Sequence, residues 1–327
     1  MKVVCLVVSL AWNLAVAKQN PSDGPVSGPF THENLSLFLV KAEKGGSSGA
    51  RRYVTLQDAI SQKKVVVHET EEVNELAVEN VSDQDVFIQT GDIVKGGQQD
   101  RVITNDFVLR PKSGRVSVDA FCVEQGRWSQ RGRESASTFN SSREMVSSKP
   151  LKMAVGVKKD QSEVWREVGK TQADLALSTA ETVTVTASAS SLPLTLQSRP
   201  VEGAVKGYLK ALRRVPNGSS GAIGVVVAVN GEINSADIYS SPELFAAMWP
   251  KLLKASAVEA VRLKRQEPSG TLRADAVDAF LREAEQGAET AIDIDGRITL
   301  ARRENEQQIT MESRDPQGWI HRSILKK

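Results

Sequence analysis

The tightest constraint on this chain lies at residues 223–229, an unbroken apolar run of Ile-Gly-Val-Val-Val-Ala-Val followed at once by Asn230-Gly231. A short, β-branched apolar run fits a buried strand. Asn-Gly is the pair favoured in a two-residue hairpin turn, because both central positions need φ > 0. Glu232 to Tyr239 then returns as the partner strand. Ser241 follows as a helix N-cap, with Pro242 at the first helical position. Leu244, Phe245, Met248, Trp249, Leu252 and Leu253 form a wide apolar stripe behind it. Pro250 interrupts that stripe, and its missing N–H is expected to kink or divide the helix.

Upstream, residues 64–123 read as all-β. Val65-Val66-Val67 is short and apolar. Residues 73–79 alternate, with Glu75, Ala77 and Glu79 on one face and Leu76 and Val78 on the other. Val86 to Ile88 makes a further strand, and Arg101 to Leu109 and Arg115 to Val123 flank the turn Pro111-Lys112-Ser113-Gly114. Short strands joined by short turns predict a sandwich-like or curled sheet. Leu35 to Val40 is an earlier strand, and Thr55 caps a short helix through Ile60. Trp128 to Pro150 is polar and reads as a surface excursion. Ser162 to Leu177 and Val201 to Leu212 have helical spacing, and Thr182 to Ser191 is a strand or an extended linker. From Thr271 on, Leu272, Val277, Phe280 and Leu281 mark a helix, followed by strand-like runs around Ile292, Ile298, Ile309 and Trp319-Ile320.

The fold class is therefore α+β. A β-rich N-terminal part (29–127) precedes a mixed half (150–265) with the hairpin and the long amphipathic helix. A small helix-plus-strands extension (270–327) follows. At the N-terminus, Lys2, the apolar run Val3 to Leu14 and the A-x-A site Ala15-Val16-Ala17 predict a signal peptide over 1–17, hence export. The run is shorter than the ~20 residues needed to span a bilayer. Residues 18–28 read as a disordered leader. Cys5 departs with the signal, so Cys122 remains without an intrachain partner and the core alone must hold the fold. The charges are balanced and mixed, with no basic block or aromatic ladder for nucleic acid.

Candidate chemistry gathers in three places. His68-Glu69 lies at a strand end; His68 is a candidate metal ligand, although no metal-binding spacing accompanies it. The turn Gly91-Asp92-Ile93-Val94-Lys95-Gly96-Gly97-Gln98-Gln99-Asp100-Arg101 lacks the Lys-Ser/Thr pair of a P-loop. It reads either as a backbone nest for an anion, with Lys95 and Arg101 adding charge, or as a turn that needs glycine. In Cys122-Val123-Glu124-Gln125-Gly126-Arg127-Trp128, strand parity puts Cys122 on the core face, where a thiol is inert. Glu124 shares that parity, and is either a candidate acid–base group or half of a structural pair with Arg127 or Arg101. Asn230, Asn234 and Asp237 read as turn and edge residues.

These strings, with Gly28-Pro29-Phe30-Thr31-His32-Glu33-Asn34-Leu35 and the segment Asn230 to Ala260, resemble a largely uncharacterised family, the ARG and rhodanese-phosphatase-superfamily-associated domain, over about residues 28–261. The resemblance implies a link to NAD and ADP-ribose metabolism and supplies no catalytic residues. The cofactor stays unknown. Three functions follow. The first is a module binding a small or polyanionic, phosphorylated ligand through Lys95, Gly96, Gly97, Gln98, Arg101, Arg127 and Trp128. The second is a hydrolase on an ADP-ribose-like compound with Glu124 or Glu69 as base. The third is a structural or envelope interaction protein. Convergence of His68, Glu69, Arg101 and Glu124 on one pocket would favour the first two.

Overall fold

The computed structural model describes residues 24–42, 52–264, 270, 272–294 and 296–327. The expected signal peptide, most of the expected leader and the Gly- and Ser-rich stretch 44–49, which its composition predicts to be a loop, lie outside these residues. The chain opens with β1 (Val26–His32), β2 (Leu35–Lys41), β3 (Val54–Thr55), α1 (Leu56–Ser61), β4 (Val65–Glu69), β5 (Glu75–Asn80), β6 (Val86–Ile88) and β7 (Asp92–Gly96). It continues through β8 (Arg101–Ile103), β9 (Phe107–Leu109), β10 (Gly114–Cys122), β11 (Phe139–Met145), α2 (Lys149–Lys152), α3 (Gln161–Thr179), α4 (Leu192–Leu196) and α5 (Arg199–Leu212). It ends with β12 (Ala222–Val229), β13 (Glu232–Tyr239), α6 (Pro242–Arg262), α7 (Ala274–Glu283), β14 (Ala288–Ile294), β15 (Ile298–Glu304), β16 (Gln308–Asp315) and β17 (Gly318–Lys326).

The hairpin β12–β13 sits in the middle of an eight-stranded sheet ordered β1-β2-β12-β13-β17-β16-β15-β14. Asn230 and Gly231 take φ of 53° and 74° at its turn, as a primed turn demands. Side chains alternate across the sheet. Leu35, Leu37, Leu39, Val225 and Val227 face a core shared with α3, α5 and α6, whereas Phe38, Val40, Val226 and Ala228 face α7. A six-stranded sheet, β11-β7-β8-β10-β5-β4, and a short sheet, β3-β6-β9, enclose a second core with α1.

Six expectations change. The N-terminal strand β2 pairs with β12, not with the β-rich region that follows it. Residues 26–28, assigned to the leader, begin β1. The run 101–109 breaks at Thr104–Asp106 and its halves enter different sheets, β8 pairing with β10 and β9 with β6. The polar excursion contains β11, which pairs with β7 and buries Phe139 and Met145. Helix α6 runs through Pro250 as one element, because Leu244, Phe245, Met248, Trp249, Leu252 and Leu253 are buried on both sides of it. The C-terminal segment supplies four strands to the main sheet through the β17–β13 pairing.

Candidate functional site

The residues singled out in the sequence meet, but in an ionic core. At the end of β4, Glu69 accepts from the Gln98 N–H at 2.8 Å and lies 3.6 Å from Arg101 Nη2. Gly97 has φ +52°, and a Cβ there would fall 2.3 Å from Phe139 Cζ and 2.6 Å from Glu69 Oε2, so the turn takes glycine for want of space. Glu124 Oε2 accepts from the Asp100 N–H at 2.9 Å and pairs with Arg127 Nη2 at 2.6 Å. Arg131 Nη1 donates to Glu124 Oε1 at 3.1 Å and to Asp100 Oδ2 at 2.7 Å. Arg127 also donates to the Gly96 and Gly97 carbonyls. Burial pushes the Glu124 carboxyl up, but Arg127 and the Asp100 N–H outweigh it and hold it below the usual range. That is the reverse of what a general base needs.

Around this network, Arg101 is fully buried, donates to the Gln99 carbonyl at 3.1 Å and lies 5.5 Å from the half-exposed Trp128 ring. Its Nε and Nη2 have no hydrogen-bond partner among the described residues. Lys95 Nζ donates to Gln197 Oε1. His68 stands apart, with Nε2 3.3 Å from Glu79 Oε2. Among the described residues no group of three or more His, Cys, Asp or Glu is placed to hold a metal ion. Cys122 is buried, and burial pushes its thiol up to about 11. Of the three principal cavities, none is lined by Glu69, Gly96, Gly97, Gln98, Arg101, Glu124, Arg127 or Trp128.

A cavity of about 180 Å³ opens instead where the three sheets meet. His321 of β17 is buried in its wall, with Nδ1 2.9 Å from Asp106 Oδ2 and Nε2 3.1 Å from Asp237 Oδ1. Burial pulls the imidazole pKa down, but the two carboxylates outweigh it and raise it to about 9. At neutral pH the ring is an imidazolium that donates from both nitrogens. Tyr239 stacks on it at 4.7 Å. Asp106 also accepts from the Thr90 N–H at 2.8 Å and from Ser313 Oγ at 2.7 Å. Asp237 Oδ2 lies 3.5 Å from Lys152 Nζ. Burial raises both carboxyl pKa values, but Lys152 and His321 hold Asp237, and His321 holds Asp106, below the ordinary range.

Lys152 ends α2 and leads into a π-helical turn, Met153–Lys158, that supplies Val155, Gly156 and Val157 to the wall. Such turns are rare and concentrate at functional sites. Lys159 closes the turn at φ 52° and donates to Asn105 Oδ1 at 2.8 Å. Met145, Val146, Leu300 and Met311 make much of the remaining surface apolar.

The model of the ARG and rhodanese-phosphatase-superfamily-associated protein domain matches residues 25–325. The chain belongs to this family. No curated protein and no solved structure matches it significantly. The family match reaches past residue 261, where the sequence resemblance stopped, and takes in β17 and His321. The ionic core and the cavity therefore both lie within the family domain. They lie at opposite ends of β7, since Gln89, Thr90 and Gly91 just before it line the cavity while Gly96 and Gly97 at its far end reach the ionic core.

Sequence reasoning missed Asp106, Lys152 and Arg131 and took Asp237 for an edge residue. Asp237 is central because β17 covers the far side of β13. Asp106 reaches the cavity because the strand breaks before it. Neither event leaves a spacing signal. The arrangement holds two carboxylates, an imidazolium and an ammonium in alternation. Both imidazole nitrogens are committed to carboxylates, which leaves His321 no lone pair for base catalysis. Lys152 Nζ lies 3.5 Å from Asp237 Oδ2, at the outer limit of a hydrogen bond, and an ammonium carries three N–H donors, so two of them can serve a ligand oxygen.

Proposed function

We propose that this protein is a binding module for a small carboxylate-bearing compound of about the size of one ring. The supporting observation is the cavity in which apolar walls meet Lys152, whose ammonium balances the net charge of the Asp106–His321–Asp237 set and keeps N–H donors to spare. Its 180 Å³ is slightly more than the ~150 Å³ that encloses a benzene. A nucleotide such as ADP-ribose is too large to be enclosed there. Apolar walls with a few placed polar groups are the usual makeup of small-molecule sites. The glycine turn, Glu69, Arg101, Glu124 and Arg127 then serve the fold, and the carboxylates Glu69 and Glu124 are not bases in this reading. Export belongs to the proposal too, on the strength of Lys2, the apolar run and Ala15-Val16-Ala17. N-terminal sequencing of the mature protein tests it, with Lys18 as the expected first residue.

Calorimetric titration of the chain from Lys18 with benzoate tests the binding reading. A ligand of this size is expected at a Kd on the order of 0.1–1 mM. Lys152→Gln should weaken binding at least tenfold, and neutral toluene should bind more weakly than benzoate. Equal benzoate affinity in the wild type and in Lys152→Gln contradicts the assignment.

A further inference from the structure

A groove of about 930 Å³ runs between α5 and α6 on a different part of the molecule. Lys206 and Lys210 of α5 and Arg213, its C-cap in helical conformation, are spaced four and three residues apart, which places them on one helix face. All three are exposed, as is Arg143, which enters the groove from β11. None of these four cations contacts a carboxylate among the described residues. Two further lysines in the groove are already neutralised, Lys251 by Asp92 at 2.6 Å and Lys254 by Glu144 at 2.7 Å. Glu202 is the one carboxylate in the lining. The floor is apolar. Leu209 and Leu253 flank Trp249, whose Nε1 donates to the Arg213 carbonyl at 2.9 Å and so holds the indole in place.

We propose that this groove is a second ligand site, for an organic phosphate with an aromatic or apolar body. Four unneutralised cations around one opening match a multiply charged anion better than a monocarboxylate. Lysine serves phosphate as a point charge and arginine as a planar fork. An apolar floor beneath the cations requires a body that leaves water, which inorganic phosphate lacks. The volume falls within the roughly 300–1,000 Å³ of ordinary small-molecule sites. That favours a small molecule over a protein segment.

The test is calorimetric titration of the full chain, at 150 mM salt so that unspecific attraction is screened, with three probes: 1-naphthyl phosphate, inorganic phosphate and a hexaglutamate peptide. Naphthyl phosphate should bind at least tenfold more tightly than inorganic phosphate, and hexaglutamate should bind more weakly than either. Lys206→Glu with Lys210→Glu, both on exposed positions, should leave the thermal midpoint unchanged and weaken naphthyl phosphate at least tenfold. Equal affinity for the two phosphates, preference for hexaglutamate, or unchanged affinity in the charge-reversed variant would overturn the proposal.

Discussion

At Glu124 a buried carboxylate accepts from two guanidinium groups and a backbone N–H. Removing its charge leaves Arg127 and Arg131 with Asp100 as their main counter-ion. Breaking one partner of a buried ion pair costs about 3–5 kcal/mol. Glu124→Gln is therefore expected to lower unfolding stability by about that much in a urea titration. An unchanged midpoint would free Glu124 for a chemical role. Gly97→Ala forces a Cβ into Phe139 and Glu69 at a positive φ. The backbone term alone is about 1–2 kcal/mol, and the contact adds to it, so a loss of at least ~2 kcal/mol is expected by the same measurement. Parity along β10 was enough to bury Cys122 from sequence, whereas for Glu124, just past the strand, it left both an acid–base role and a pair with Arg127 or Arg101 open. Arg131 was not legible, because a Ser- and Arg-rich stretch reads as solvated until β11 folds it back against β7.

Among the elements, β17 matters most for what the sequence concealed. The hairpin, the Ser241 cap, whose Oγ accepts from the Leu244 N–H at 3.1 Å, and α3, α5 and α6 follow from local pattern. Pairing between β13 and a strand some eighty residues later has no local signature, so the tail looked like a separate extension. Its pairing makes a prediction. A chain ending at residue 270 exposes the edge of β13 and removes α7 from over Phe38, Val226 and Ile238. Such a chain should be insoluble or lack dispersed amide signals in NMR. A well-dispersed spectrum would show that the tail is dispensable. Pro250 teaches the opposite lesson. A local rule foresaw a kink or a division; the helix is not divided, and the burial of residues on both sides of the proline prevailed over the one backbone hydrogen bond it forgoes.

In the whole molecule, three sheets converge on one buried imidazolium, and its titration should be visible as global stability. His321 has a folded pKa of about 9 against an ordinary 6.5, so its contribution is complete below pH 6.5 and is lost as pH rises through 9. Urea midpoints should fall between those limits, by on the order of 3 kcal/mol in unfolding free energy, and His321→Gln should flatten the slope. Asp237 and Asp106 have depressed values and act at the other end. Their contribution is present above the ordinary 3.8 and is lost as pH falls through their folded values. The cavity was illegible in sequence because its charged residues come from four distant stretches, around 106, 152, 237 and 321, that only the sheet topology brings together. Methionine-methyl NMR offers the most direct test of the binding claim, since Met145 and Met311 line the cavity whereas Met248, on α6, is buried in the core and does not line it. With benzoate, the Met145 and Met311 methyl signals should shift saturably while Met248 stays still, and Lys152→Gln should abolish the response. Unmoved Met145 and Met311 signals at millimolar benzoate, or equal shifts in the Lys152 variant, would contradict the account.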